Sequence, residues 1–551
     1  MTSKVRTILL CAAAGTVASI TLIACARTSA IRDNAAAMGD AHLANAPAPA
    51  GSGKSALVYP GTDGKLVYKP WNDRGDTVLD FSNCGYGGGG VALPRVPVKI
   101  TLSPAGGEED ELGRLQSAIE QIAGLPPDAN GFRGTLLLKK GKYRLSAPLN
   151  IKASGIVLRG EGSEEVGTLL YGTGRKQYSL IEVDGSGGLE EVKGSMRVIT
   201  DAYVPVGART FTVDKPAELK PGDLLIVRRA SNDEWIHFIG MDRIVPRSSD
   251  PSSTKQWKPF DLNFDRVITK VEGNKVTIDA PIACAIDAKW GGGKMFLASD
   301  AGRIEKIGIE NLRGECVYDA SKKAKEGGKE YLNDEDHANY IVSFSNVKNA
   351  WARDLKARYL GHGIVNMERG SKWITVQDCS SVDPINIITG GRRYPYNISG
   401  QLCLVQRCYA RDARHAFVVG GGQICGPNAF LDCVAENNHA TSEPHQRWSV
   451  GGLYDNIDAE MAFQDRQWMG SGHGWSGANY VVWNGKGTVV SQQPPTAQNF
   501  VIGFAGKKVK GAFDRPDGWW ESAGTPVAPR SLYLQQLQDR LGAQAVKNIE
   551  K

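Results

Sequence analysis

The second half of the chain repeats itself. Strand-like segments recur as Ile309-Glu310-Asn311-Leu312, Trp351-Ala352-Arg353-Asp354-Leu355, Thr375-Val376-Gln377-Asp378-Cys379, Leu404-Val405-Gln406-Arg407-Cys408 and Ala429-Phe430-Leu431-Asp432-Cys433. The equivalent compact positions Leu355, Cys379, Cys408 and Cys433 lie 24, 29 and 25 residues apart. Two residues later come Ala357, Ser381, Ala410 and Ala435, so strand alternation puts both columns on one face and Lys356, Ser380, Tyr409 and Val434 on the other. Repeats of roughly 20 to 30 residues with one strand signal each specify a solenoid. Their β-branched, glycine-interrupted composition excludes helical repeats. The pattern predicts an all-β fold, a right-handed parallel β-helix with coils about 4.8 Å apart. No CxxC pair occurs among the ten cysteines, which excludes a zinc ribbon and leaves the ladder cysteines as stacked core thiols.

The first half fits the same plan. Residues 111–122 carry apolar side chains at helical spacing, followed by short strand-and-glycine units through Gly155-Ile156-Val157-Leu158-Arg159-Gly160. An amphipathic helix in that place shields the open end of a solenoid from edge-to-edge pairing. The expected organisation is a cap with the first coils over 56–194, a small inserted β domain over 195–290, the main β-helix over 291–500, and a C-terminal extension over 501–551. In the extension, Leu532, Leu537 and Leu541 mark a helix.

Lys4 and Arg6 precede an apolar stretch that ends in Leu22-Ile23-Ala24-Cys25. This resembles a bacterial lipoprotein signal, which implies removal of residues 1–24, lipidation of Cys25 and anchoring of the exported protein to a membrane. Ala26 is compatible with outer-membrane sorting in a cell with two membranes, the periplasm being the other location. Residues 25–55, rich in Ala, Pro, Gly and Ser, read as a flexible tether. A formal charge of +6 permits an acidic ligand without indicating nucleic acid.

Four of the eight histidines fall between residues 415 and 473, amid arginines and aromatic residues. Counting seven residues past the ladder reaches His362, Asn386 and His415, and six past Cys433 reaches His439, so these four are expected to stack along one corner. Arg392, Arg393, His445, Arg447 and Trp448 would then line the rim of a cationic groove suited to an acidic polysaccharide. Trp448 and Trp475 are candidate sugar platforms, with core packing as the alternative, and Arg414, His473 and His362 are candidate substrate contacts. The acidic loop Asp334-Glu335-Asp336-His337 offers His337 to the groove and a conceivable Ca²⁺ site, although no clear cation-binding pattern supports a metal or other cofactor.

The strand-and-glycine units after an N-terminal helix, with Gly390-Gly391-Arg392-Arg393-Tyr394, Gly426-Pro427-Asn428 and Gly472-His473-Gly474-Trp475, resemble the pectin-lyase-like superfamily over roughly residues 75–500. The resemblance implies a carbohydrate-active β-helix, either a polysaccharide lyase, a glycoside hydrolase or a uronate epimerase. The calcium-binding aspartates of pectate lyases have no clear counterpart here. For β-elimination, Arg393 and Arg447 are expected to hold the uronate carboxylate, His415 or His445 to take the proton, and Tyr394 or His439 to protonate the leaving oxygen. A hydrolase would draw two carboxyl groups from Asp432, Glu436, Glu443, Asp455 and Asp458. A non-catalytic glycan-binding lipoprotein is the third expectation.

Overall fold

The computed structural model describes residues 53–550. The expected signal, the expected lipidation at Cys25 and the expected tether up to residue 52 lie outside them. The body of the molecule is a right-handed parallel β-helix with an N-terminal capping helix and a β insertion.

Three faces are built from stacked parallel strands. The first runs through Val347–Arg358, Lys372–Gln377, Leu404–Gln406, Cys425–Leu431, Ser449–Asp455 and Val481–Trp483. The second begins with the far half of Val347–Arg358 and continues through Ser380–Val382, Tyr409–Arg411, Val434–Glu436 and Asp458–Phe463. The third stacks Leu149–Ile151, Ser179–Asp184, Tyr340–Ser345, Gly363–Met367, Tyr396–Ile398 and Phe417–Val419.

The corner between the first two faces explains the sequence ladder. Asn311, Asp354, Asp378, Arg407, Asp432, Asn456 and Asn484 occupy the same place in successive coils, all with φ between 50° and 56°. This left-handed conformation bends the chain within one residue, and Asn and Asp tolerate it best among side chains with a Cβ. The residue after each bend points inward. Leu312, Leu355, Cys379, Cys408, Cys433 and Ile457 form a buried column, and the eight cysteines of the described residues are all buried and free. At the N-terminal end, the helix Leu112–Ala123 buries Leu115, Ala118, Ile119 and Ile122 in the same core.

Three boundaries differ from the sequence reading. The insertion is wider than 195–290, because its antiparallel sheet includes Glu190–Glu191 and Gly293–Ser299. Coils continue past residue 500 through Ala505–Lys508 and Trp519–Glu521. The tether gives way at Gly53–Lys54, which pairs with Val527–Ala528, so the segment after it lies along the C-terminal coils instead of joining the cap.

A second core forms on the outside of the first face. Insertion residues Leu225, Trp235 and Phe264, the N-terminal Leu79 and Phe81, and Leu532, Tyr533 and Leu537 of the helix Leu532–Leu541 cover Leu404, Trp448, Leu453 and Trp475. Covering that face removes it from ligand access.

Candidate functional site

At the start of the third face, strand register places Tyr340, Gly363, Tyr394 and His415 in one column. Their rings and those of neighbouring coils make a continuous row. Tyr340 stacks on His362 with centroids 4.7 Å apart, and His362 meets Tyr394 edge-on at 5.9 Å. Tyr394 packs against His415 at 5.1 Å and His445 at 5.6 Å, and His445 contacts His473 at 5.0 Å.

Tyr394, not Asn386, fills the expected middle position. From the ladder to the third face takes ten residues between Leu355 and Val365 and nine between Cys408 and Phe417, but seventeen between Cys379 and Tyr396. The extra residues loop out and carry Asn386 with them. Arg393 closes that loop: it is buried and donates to the Asn386 carbonyl at 2.6 and 3.0 Å and to Asp412 O. Burial lowers its pKa to about 10. A guanidinium so committed does not hold a substrate carboxylate. His439 lies one step off the row and is exposed, its N–H bonded to Ala413 O.

The polar centre of the row is Glu443. Its Oε1 lies 3.0 Å from His445 Nδ1 and 3.5 Å from His415 Nδ1, and it pairs with Arg466. Burial alone would raise the Glu443 pKa, but the Arg466 guanidinium, together with the hydrogen bond from His445, outweighs it and holds the carboxyl well below its usual range. With the proton on Nδ1 toward Glu443, His445 turns its Nε2 lone pair to the Tyr394 hydroxyl, 3.4 Å away. Arg414 Nη1 donates to the same hydroxyl at 3.0 Å and also to Gly390 O. Burial raises the Tyr394 pKa, and Arg414 opposes that rise.

The imidazoles are kept neutral. Burial pushes His362, His415 and His473 down to about 3 and lowers His445 as well. Neutral rings can pack against one another at these distances without repelling. His415, Glu443 and His445 place their ligand atoms within 4.8 Å of one another. A divalent cation fits poorly among them, because Arg466 Nη1 already bonds Glu443 and lies 3.0 Å from His445 Nδ1.

Other expected site residues are placed elsewhere. Trp448 and Trp475 are 0% and 2% exposed within the second core, where Trp448 meets Trp235 at 4.9 Å. They are packing residues and not sugar platforms, because the insertion covers the face that bears them. His415 is 1% exposed and lies behind Tyr394, out of reach of a polymer. Arg447 donates to Ser471 O and Oγ, beside the row. His337 is buried against Cys316 and Ile385 O instead of facing the groove. Its loop is a clamp: Glu335 binds Arg392 Nε and Ile387 N, while Lys322, Arg175 and two backbone N–H groups saturate Asp334. Cations of the protein thus occupy the conceivable Ca²⁺ ligand.

Carboxyl groups considered for hydrolysis are engaged by the protein's own groups. Asp432 pairs with Arg530, Asp455 is buried under Ser531 and Tyr533, and Glu436 accepts from Tyr409. Arg466 and the structural role of Glu443 escape the sequence reading, because neither occupies a ladder position.

No family model matches the chain, and no curated protein matches it. Solved structures similar to it include the tailspike protein gp49 from Pseudomonas phage LKA1, at 13% identity and a TM-score of 0.38, covering 72% of this chain and 57% of that one. The Gp54 tailspike of Acinetobacter baumannii bacteriophage AP22, in complex with A. baumannii capsular saccharide, matches at 10% identity and a TM-score of 0.27, covering 76% and 74%. The tailspike protein of E. coli bacteriophage HK620, in complex with a pentasaccharide, matches at 10% identity and a TM-score of 0.37, covering 86% and 63%. The chain thus spans less than two thirds of the first and third of these proteins.

Proposed function

We propose that the protein is a polysaccharide lyase that cleaves a uronate-containing polymer by β-elimination, exported and lipid-anchored through Cys25. The observation that carries the chemistry is the position of the Tyr394 hydroxyl, between the Arg414 guanidinium and a His445 imidazole backed by Glu443. In this reading Tyr394 Oη accepts the proton from C5 of the uronate as its own proton passes to His445 Nε2. The C5–H electron pair becomes the new C4=C5 bond, the C4–O bond breaks, and the departing oxygen takes a proton back through Tyr394 as His445 returns to neutral. Arg414, which bonds the Tyr394 hydroxyl, offsets the negative charge that develops on the substrate carboxylate.

Asp432, Glu436 and Glu443 are held by partners within the protein and Asp455 is fully buried, which favours elimination over hydrolysis, since hydrolysis needs two carboxyl groups facing the scissile bond. The test is incubation with a panel of acidic and neutral polysaccharides, following both ultraviolet absorbance of unsaturated ends and new reducing ends. Both signals should rise together on a uronate-containing polymer. Reducing ends without absorbance would establish hydrolysis, binding without either signal a non-catalytic role, and an altered uronate without chain shortening an epimerase.

A further inference from the structure

Arg229 ends the insertion strand Leu224–Arg229 and is 2% exposed. One face of its guanidinium lies 4.0 Å over the Trp235 ring, yet Nε and Nη1 are buried without a hydrogen-bond partner. An unpaired buried cation costs several kcal/mol, and here burial lowers its pKa.

The neighbouring carboxylates do not relieve it. Asp76 accepts from Asn72, Tyr203 and the Val206 N–H, and Asp287 accepts from Arg74 and the Lys289 N–H. Arg303, which also has an unpartnered buried nitrogen, keeps its ion pair with Asp265.

Arg229 lines a cavity of about 200 Å³ between the N-terminal segment, the insertion and the C-terminal coils. That is many times the roughly 10–15 Å³ needed by one water. Trp71 and Trp290 give it aromatic walls, and the buried Trp71 Nε1 also lacks an acceptor. Asn72, Gln493 and Thr496 supply amide and hydroxyl groups, the last two exposed at the mouth.

We propose that this cavity is a second ligand site, which binds one carboxylate-bearing sugar unit with its carboxylate on Arg229. The aromatic walls cover the C–H faces of the sugar ring, Trp71 Nε1 donates to a ring substituent, and the polar mouth meets the hydroxyls. The inference rests on Arg229 and its cavity and is independent of the lyase reading.

Calorimetric titration of the full chain with glucuronate, a uronate disaccharide, glucose and acetate tests it. Glucuronate should bind and raise the melting temperature, while glucose and acetate should not. A disaccharide as good as the monosaccharide indicates that chain ends enter the site, and a weaker one that free sugar is the ligand. Arg229→Met should weaken glucuronate binding at least about tenfold and melt no lower than the parent without ligand. Trp71→Phe, which keeps the wall and removes the donor, should weaken binding in the same direction. Weakening by Arg229→Met and Trp71→Phe, both of which lie in this cavity and outside the row, separates the site from the row. No binding by the parent chain, equal binding of acetate, or undiminished binding by Arg229→Met or Trp71→Phe would overturn the proposal.

Discussion

The Tyr394 hydroxyl lies 3.4 Å from His445 Nε2, although 51 residues separate the two in the chain. A phenol so placed can gain and lose a proton within one step, which neither partner does as well alone. Tyr394→Phe removes the transferring oxygen and leaves the ring to pack between His362, His415 and His445. The expected outcome is a loss of roughly 10²- to 10⁴-fold in kcat for formation of unsaturated product, with an unchanged circular dichroism spectrum. A variant that retains full rate would remove Tyr394 from the mechanism.

His415 has a different part. It is sealed behind Tyr394, and its Nε2 is buried without a partner. His415→Ala should therefore lower the rate less than Tyr394→Phe, by letting the phenol ring shift. Parallel measurement of kcat for the two variants decides this, and equal losses would give His415 a direct role.

The pH dependence follows from His445. The relay needs its neutral form, and burial, then Arg466 and Arg414, keep its pKa below the ordinary 6.5 against the pull of Glu443. Protonation on acidification disables the acceptor, so the acid limb of the kcat profile should lie below pH 6.5. A limb at or above that value would exclude His445 as the acceptor.

The solenoid was legible because one column of Asn and Asp at left-handed bends and one column of compact apolar residues repeat in every coil. His362 and His415 could be placed by counting from that column. Tyr394 could not, because its coil carries an excursion closed by Arg393, and the count lands on Asn386 within the loop. Trp448 and Trp475 were misplaced for another reason. Period-two alternation says that a side chain leaves the coil, but not that a distant insertion will cover it. Arg466 left no signal, since its partnership with Glu443 depends on two irregular segments that meet only in three dimensions.

Asp455 tests the outer core. It accepts from Ser531 Oγ at 2.7 Å and Tyr533 N at 2.9 Å, fixing the start of the C-terminal helix, yet burial outweighs those bonds and pushes its pKa up to about 7. A carboxyl whose pKa is higher folded than unfolded favours folding while protonated, and that contribution is lost as pH rises through 7. The loss amounts to about 4 kcal/mol between pH 4 and pH 8. Asp455→Asn stays neutral and keeps an acceptor, so it should melt higher than the parent at pH 8 and close to it at pH 4. Equal melting of the two chains at pH 8 would show that Asp455 is not held protonated.

Glu310 anchors the first coils in the same way that Glu443 anchors the row. Fully buried, it pairs with Arg159 and Arg353 and accepts from Trp351 Nε1 at 3.1 Å. Removing it strands two cations beside an apolar core, which costs about 3–5 kcal/mol where a buried pair loses one partner. Glu310→Ala should therefore lower the melting temperature more than a truncation of the exposed Glu190 on the insertion. Gly308 gives an independent reading of the same packing, since a Cβ there would come within 2.3 Å of the Trp351 ring. Gly308→Ala must displace that tryptophan and weaken its bond to Glu310. If both substitutions loosen this one cluster, the double variant should fall short of the sum of the two single losses, and strict additivity of the melting shifts would show that Trp351 does not couple them.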